Sequence, residues 1–301
     1  MLDKKLIVIL GPTASGKTGL AIKAAQLFNT EIISADSRQF FSELNIGVAR
    51  PSVKEMAEAR HHFIAFKSIH DHYSAGQFER DALKKADEIF AKSDYVICAG
   101  GSTLYLQAII SGLDDLPSDP KVKTALQHEI NSTGLESLVE QLKTVDPEYY
   151  NQVDLSNPHR VIRALEVFTI TGQKYSSLRK ADSAQRPFKI IKFGIDPERS
   201  VLYDRINRRV DQMIDDGLVE EAKTLLPYSE LNALQTVGYT ELFEYFNGRM
   251  TLDQAIDKIK QHSRNYAKRQ MTWWRRDEEI NWLKNTGEEE VQRMTDLIIN
   301  A

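Results

Sequence analysis

Residues Leu6 to Phe28 read LIVIL-GPTASGKT-GLAIKAAQLF, and the fold follows from this stretch. Five apolar residues, mostly β-formers, describe a buried strand. A loop with two glycines comes next, and then apolar residues return at helical spacing. Gly11, Gly16, Lys17 and Thr18 match the pattern G-x-x-x-x-G-K-[ST], with Pro12, Thr13, Ala14 and Ser15 between them. Gly11 lets the chain leave the strand sharply, and the loop's N–H groups turn inward around an anion. Gly16 permits close approach of backbone to phosphate, and the helix N-terminus adds its positive dipole end. Lys17 supplies a mobile charge, and the Thr18 hydroxyl is a magnesium ligand in loops of this kind. The pattern specifies phosphates and leaves their owner open.

With 301 residues, 42% hydrophobic and 27% charged, the chain has the length and composition of an ordinary globular protein, one large domain with or without a smaller lobe. Cys98 is the only cysteine, which excludes an intramolecular disulfide and a thiolate metal cluster. Met1 to Lys5 lead directly into the first strand, so no signal peptide is read, and no apolar run is long enough to span a bilayer. A cytoplasmic protein acting as a monomer, with no membrane partner, is the expectation.

Outward from the loop, Glu31–Ala35 reads as a second strand ending in Asp36-Ser37-Arg38-Gln39. Ligands of open α/β sheets sit beyond the carboxyl ends of strands, so Asp36 is expected near the phosphate loop, either as a base or as the cap of the next helix. Arg38 and Gln39 are side chains that read nucleobase edges. Phe63–Phe66 reads as a further strand. His61, His62, His70 and His72 are four histidines within twelve residues, but their spacing fits no standard zinc set. Tyr95–Ala99 reads as another core strand, turned into a helix by Gly100-Gly101-Ser102-Thr103, either a second anion loop or a capped turn. Its lack of a terminal aspartate argues against an ATP-driven motor, and Cys98 within it reads as a core residue.

The texture changes at Asp114–Pro120, a linker, after which the sequence is helical until Lys189–Ile195 restores a strand. His159, Arg160 and Arg163 open one helix there, and Arg160 and Arg163 share a face that either grips phosphate or is simply solvated. A polar tract from Gly172 to Arg186-Pro187 is expected to be mobile. The remainder reads as helical, with Arg205, Arg208 and Arg209 at helical spacing. Residues 258–276 carry seven Lys and Arg and no Asp or Glu, so the rest of the chain holds −11 of the total −4. Tyr266, Trp273 and Trp274 are interleaved with these charges. Snorkelling lysines on a core helix are one reading, but the charge asymmetry favours a nucleic-acid face. The expected organisation is a P-loop NTPase-like α/β domain, a parallel sheet flanked by helices, over 1–118 and 188–301. A mainly helical insertion domain takes 119–187.

Taken together, GPTASGKT, DSRQ, the segment ARPS at 49–52, YSAGQF at 73–78, GGSTLY at 100–105, NPHRVIRALEV at 157–167, VGYTEL at 237–242 and NYAKRQMTWWRRD at 265–277 resemble the tRNA dimethylallyltransferases. The likeness runs through nearly the whole chain. Two segments depart from the family pattern: Ser102-Thr103 follows the double glycine, and Gly47-Val48-Ala49-Arg50-Pro51 stands where the family has a GTAKP-like segment. The chain has no cysteines for the zinc finger of eukaryotic members, so the bacterial type is expected.

The resemblance implies transfer of a dimethylallyl group from dimethylallyl diphosphate to N6 of adenosine 37 in a tRNA anticodon stem-loop. Its diphosphate would lie on residues 11–18, with Mg2+ held through Thr18. Asp36 would take the N6 proton, while Lys17 and Arg209 or Arg205 stabilise the leaving diphosphate and Ser102 touches the target nucleotide. Asp36, Ser37, Arg38, Gln39, Ser102, His159, Arg160, Arg163, Lys268, Arg269 and Trp273 would meet RNA. A small-molecule or nucleotide kinase also fits the phosphate loop and would bind ATP, but DSRQ and the basic aromatic tract argue against it.

Overall fold

A computed structural model describes residues 4–114, 116–179 and 184–301. Linker residue Asp115 and residues 180–183 of the polar tract lie outside it. The chain divides into two compact units, Met1–Ser111 with Gln185–Ala301, and Gly112–Ala184.

The first unit runs β1 (Lys5–Leu10), α1 (Lys17–Leu27), β2 (Ile32–Ala35), α2 (Val53–Glu58), β3 (His61–His62), α3 (Ala75–Phe90), β4 (Tyr95–Gly100) and α4 (Thr103–Ser111). The second unit holds α5 (Pro120–Thr133), α6 (Leu135–Val145), α7 (Pro147–Tyr150), α8 (Pro158–Thr171) and α9 (Tyr175–Leu178). The first then resumes with β5 (Lys189–Ile195), α10 (Arg199–Asp215), α11 (Leu218–Leu225), α12 (Tyr239–Phe246), α13 (Leu252–Trp274), β6 (Ile280–Leu283) and α14 (Glu288–Ile299).

Six strands form one parallel sheet in the order β3-β2-β4-β1-β5-β6. Both faces are covered, and the central strands accordingly read as unbroken apolar runs. Leu6, Val8 and Leu10 face one core with Phe78, Ala82 and Trp274, while Ile7 and Ile9 face another with Leu20, Phe193 and Met294. Because β2, β4 and β1 are neighbours, the loops leaving their carboxyl ends meet. That adjacency places the turn after Ala35, the double glycine and the phosphate loop in one region. Gly100 permits the closest approach: a Cβ there would lie 2.2 Å from the Ala35 carbonyl oxygen.

Two expectations about the sheet change. Phe63–Phe66 is not a strand; β3 stops at His62, and Phe63 and Ala65 take positive φ of 63° and 50°. The turn carries Phe63 and Phe66 into an edge-to-face cluster with Phe40, Tyr73 and Phe78, and packing overrides β-propensity. Ile280–Leu283, read as part of a helical tail, is instead edge strand β6 on β5.

In the helical unit, Leu126, Leu138, Leu142, Val161 and Leu165 make the core. Two buried carboxylates tie its loops. Asp146 accepts from Ser176 N–H at 2.7 Å and from the Ser176 hydroxyl at 2.6 Å, and Glu166 accepts from Asp119 N–H at 3.0 Å.

Candidate active site

A cleft of about 690 Å³ opens in the first unit above the strand ends. Its floor is the phosphate loop. Gly16 takes φ of 94°, a left-handed conformation open to glycine at little cost, and α1 begins at the next residue. Ser15 is 1% exposed, and its hydroxyl has no hydrogen-bond partner among the described residues. Such an orphaned buried hydroxyl, in a loop that leads into a helix N-terminus, fits an anion. Lys17 folds back to donate to the Pro12 carbonyl at 2.9 Å. Burial, and then the Arg209 guanidinium, pull its pKa down to about 8, while Asp36 acts in the opposite sense. Thr13 and Thr18 line the same floor.

Asp36 stands at the end of β2 and lines the cleft. Its Oδ1 accepts the Arg38 N–H at 3.0 Å and the Gln39 N–H at 3.4 Å, so one oxygen caps the turn. Oδ2 has no protein partner among the described residues. The alternatives of cap and base are therefore compatible, one oxygen for each.

Side chains after Asp36 are more committed than their sequence suggests. The Arg38 guanidinium donates to the carbonyls of Asn232 at 2.7 Å and Gln235 at 3.3 Å. The Gln39 amide donates to the carbonyls of Val48 and Ala49 at 3.2 and 3.0 Å. Both line the cleft, and these donors hold its walls in place. Ser102 does not line the cleft. Its buried hydroxyl accepts the Ser37 N–H at 2.9 Å, donates to the Ser37 hydroxyl at 3.1 Å and meets the Tyr266 phenol. These contacts fix the turn that carries Asp36. Burial pushes the Tyr266 phenol up to about 12, which keeps it a neutral donor.

Arg209 of α10 reaches the cleft, its Nη1 lying 3.4 Å from the Thr13 hydroxyl, whereas Arg205, one turn earlier, does not line it. Arg208 pairs with Asp204. The Thr18 hydroxyl on the cleft floor is an oxygen that could hold a magnesium ion. Mg2+ keeps several waters and takes only one or two protein ligands beside phosphates, so one hydroxyl in a phosphate loop fits it. No acidic or histidine cluster is needed, and none occurs among the described residues.

α13 forms the remaining wall. Ala255, Ile259, Ala267, Met271 and Trp274 bury one face. Of the basic residues, Lys260 pairs with Asp211, Arg264 bonds Asn207 and Arg275 pairs with Asp196. Lys258, Lys268, Arg269 and Arg276 have no acidic partner among the described residues, and Trp273 is 39% exposed beside them. The helix thus buries one face in the core and leaves on the other basic side chains without acidic partners among the described residues.

Gln270 escaped the sequence reading. It is 4% exposed, and its amide accepts the Thr13 N–H at 3.1 Å and donates to the Gly101 carbonyl at 2.7 Å. The only local signal was a polar residue on the apolar side of α13. In the helical unit, His159 and Arg160 are exposed at the start of α8. Arg163 bonds Glu166 at 2.7 Å and the carbonyls of Leu116 and Pro117, so its guanidinium is engaged within the unit whereas Arg160 stays exposed. Cys98 is buried in β4 and its thiol is pushed up to about 12, consistent with a core residue.

The IPP transferase family model matches residues 39–277. The tRNA dimethylallyltransferase 1 of Bacteroides fragilis is 47% identical over 292 residues, covering 97% of each chain. The tRNA dimethylallyltransferase of Christiangramia forsetii is 51% identical over 284 residues, covering 94% of each. Among solved structures, the tRNA isopentenylpyrophosphate transferase of Bacillus halodurans superposes with a TM-score of 0.73 at 35% identity, over 99% of this chain and 96% of that one. A eukaryotic dimethylallyltransferase acting on tRNA gives 0.79 at 26% identity, over 99% and 80%.

Proposed function

The chain belongs to the IPP transferase family, and from that premise we propose that it moves the dimethylallyl group of dimethylallyl diphosphate onto N6 of adenosine 37 in a tRNA anticodon loop. The observation that carries this reading is the meeting of a phosphate loop and the free oxygen of Asp36 in one cleft, beside a helix with unpaired basic residues.

The diphosphate lies on residues 11–18, where the Ser15 hydroxyl, the loop N–H groups and Lys17 receive it. Thr18 would hold Mg2+, which would supply further charge neutralisation of the diphosphate. The adenine enters flipped from the loop. Its N6 is a weak nucleophile because the lone pair is delocalised into the ring. As the N6–C1 bond forms, the C1–O bond to diphosphate breaks, and the N6 proton passes to Oδ2 of Asp36. General-base help of this kind contributes typically about 10²–10⁴-fold. The departing negative charge meets Lys17 and Arg209, groups already in position before the reaction. Lys268, Arg269 and Trp273 of the first unit, and His159 and Arg160 of the helical unit, are the side chains offered to RNA. The same reading places the enzyme in the cytoplasm as a monomer.

The test is transfer of label from the allyl group of dimethylallyl diphosphate into an unmodified tRNA anticodon stem-loop, with ATP hydrolysis followed in parallel. Label on adenosine 37 with ATP untouched is expected. ATP consumption with no label would replace this reading with that of a kinase.

A further inference from the structure

One turn of α13 before Tyr266, the cleft carries a carboxylate–imidazole pair to which the reaction above assigns no task. Glu241 is 4% exposed and its carboxylate is fully engaged. One oxygen accepts the Gly238 N–H at 2.8 Å and the Thr240 hydroxyl at 3.0 Å; the other lies 2.5 Å from Nδ1 of His262. A carboxylate only accepts, so Nδ1 is the ring nitrogen that carries hydrogen. When the ring is neutral it is held in one tautomer, with its lone pair on Nε2. His262 lines the cleft with its side chain 47% exposed, and Nε2 has no protein partner among the described residues.

Position on the helix says which part of a substrate this atom faces. His262, Tyr266 and Arg269 are spaced four and three apart and share one face. His262 therefore stands about 6 Å along the axis from Tyr266, which adjoins the Asp36 turn through Ser102. Gln270, which holds the phosphate loop, is about 12 Å away along the same axis. Nε2 thus lies toward the RNA side of the cleft. A neutral acceptor there needs a donor. Phosphate oxygens offer none, and the adenine amine is already directed at Asp36. The donor that every nucleotide of RNA carries, and DNA lacks, is the ribose 2′-hydroxyl.

We infer that Nε2 of His262, oriented by Glu241, accepts a hydrogen bond from a ribose 2′-hydroxyl at the target nucleotide or an immediate neighbour, and so helps the enzyme select RNA. The inference rests on the cleft being the site of prenyl transfer to tRNA.

The test uses anticodon stem-loops with a single 2′-deoxy substitution at the target adenosine, the nucleotide before it or the one after, and compares kcat/KM for the wild-type enzyme and His262→Asn. Asparagine keeps an N–H for Glu241 and removes the atom at the Nε2 position. One deoxy substitution is expected to lower wild-type kcat/KM by about three- to tenfold, the size of one neutral hydrogen bond. His262→Asn should show that loss already on the all-RNA substrate and no further loss on the deoxy one. His262→Gln, whose amide oxygen reaches toward the Nε2 position, should recover part of the sensitivity. Equal deoxy effects in wild type and His262→Asn, or wild-type indifference at all three positions, would overturn the inference. No transfer to the all-RNA stem-loop would instead overturn the reading of the cleft, and the inference with it.

Discussion

Gln270 donates its side-chain amide to the carbonyl of Gly101 across 2.7 Å, joining the helix that carries the basic face to the loop after β4. The same amide accepts the Thr13 N–H at 3.1 Å, so one buried side chain ties α13 to both loops of the cleft. Replacing it with methionine keeps much of the volume and leaves the buried Gly101 carbonyl, at a cost of about 1–3 kcal/mol, and the half-buried Thr13 N–H unsatisfied. Gln270→Met is expected to lower the denaturation midpoint. It should also raise KM for the allylic diphosphate more than KM for RNA, since Thr13 belongs to the diphosphate loop. Steady-state kinetics with each substrate varied in turn reads the difference.

Lys17 gives a pH signature. Burial brings it to about 8 in the free cleft, against the ordinary lysine value of 10.5. Between those values the unfolded chain holds the proton and the folded one has released it, so this group makes the free protein more stable as pH rises from 8 toward 10.5. Bound diphosphate favours the charged amine. Affinity for an unreactive allylic diphosphate analogue should therefore be steady with respect to Lys17 below about pH 8 and weaken above it. Calorimetry should show this component vanish in Lys17→Met.

Lys268 and Arg269 lack acidic partners among the described residues, whereas Lys260, Arg264 and Arg275 are engaged by Asp211, Asn207 and Asp196. Removing the charges of Lys268 and Arg269 together should weaken RNA binding and reduce the slope of log affinity against log salt by about 1.5, near the B-DNA and single-strand values for two phosphates. Replacing Arg163 should instead act on the stability of the helical unit, because its guanidinium holds Glu166 and two carbonyls. Filter binding over a salt series and thermal unfolding separate the two.

Legibility in the sequence followed the range of the interactions. The phosphate loop and Asp36 were readable because each is a local pattern at a strand end, and sheet order then brings the strand ends together. The strand expected at Phe63–Phe66 failed because an aromatic cluster assembled from distant segments sets its backbone. β6 was missed because an edge strand of four residues, with Asn281 in it, has little apolar signal of its own. Arg38 and Ser102 were recognised as site residues, but their contacts to Asn232, Gln235, Ser37 and Tyr266 span dozens to nearly two hundred positions. Gln270, 169 and 257 positions from its partners, and the Glu241–His262 pair, 21 apart on two helices, were hidden because no local spacing reveals such contacts.

The central claim is that the free oxygen of Asp36 takes the N6 proton. Asp36→Asn tests it most directly, because the amide oxygen still accepts the Arg38 and Gln39 N–H groups and keeps the turn. The measurement is the single-turnover rate of label transfer with enzyme in excess over a saturated anticodon stem-loop. A fall of about 10²–10⁴-fold with RNA affinity unchanged is the predicted result. An undiminished rate, or a loss of RNA binding with the rate of transfer intact, would contradict the account.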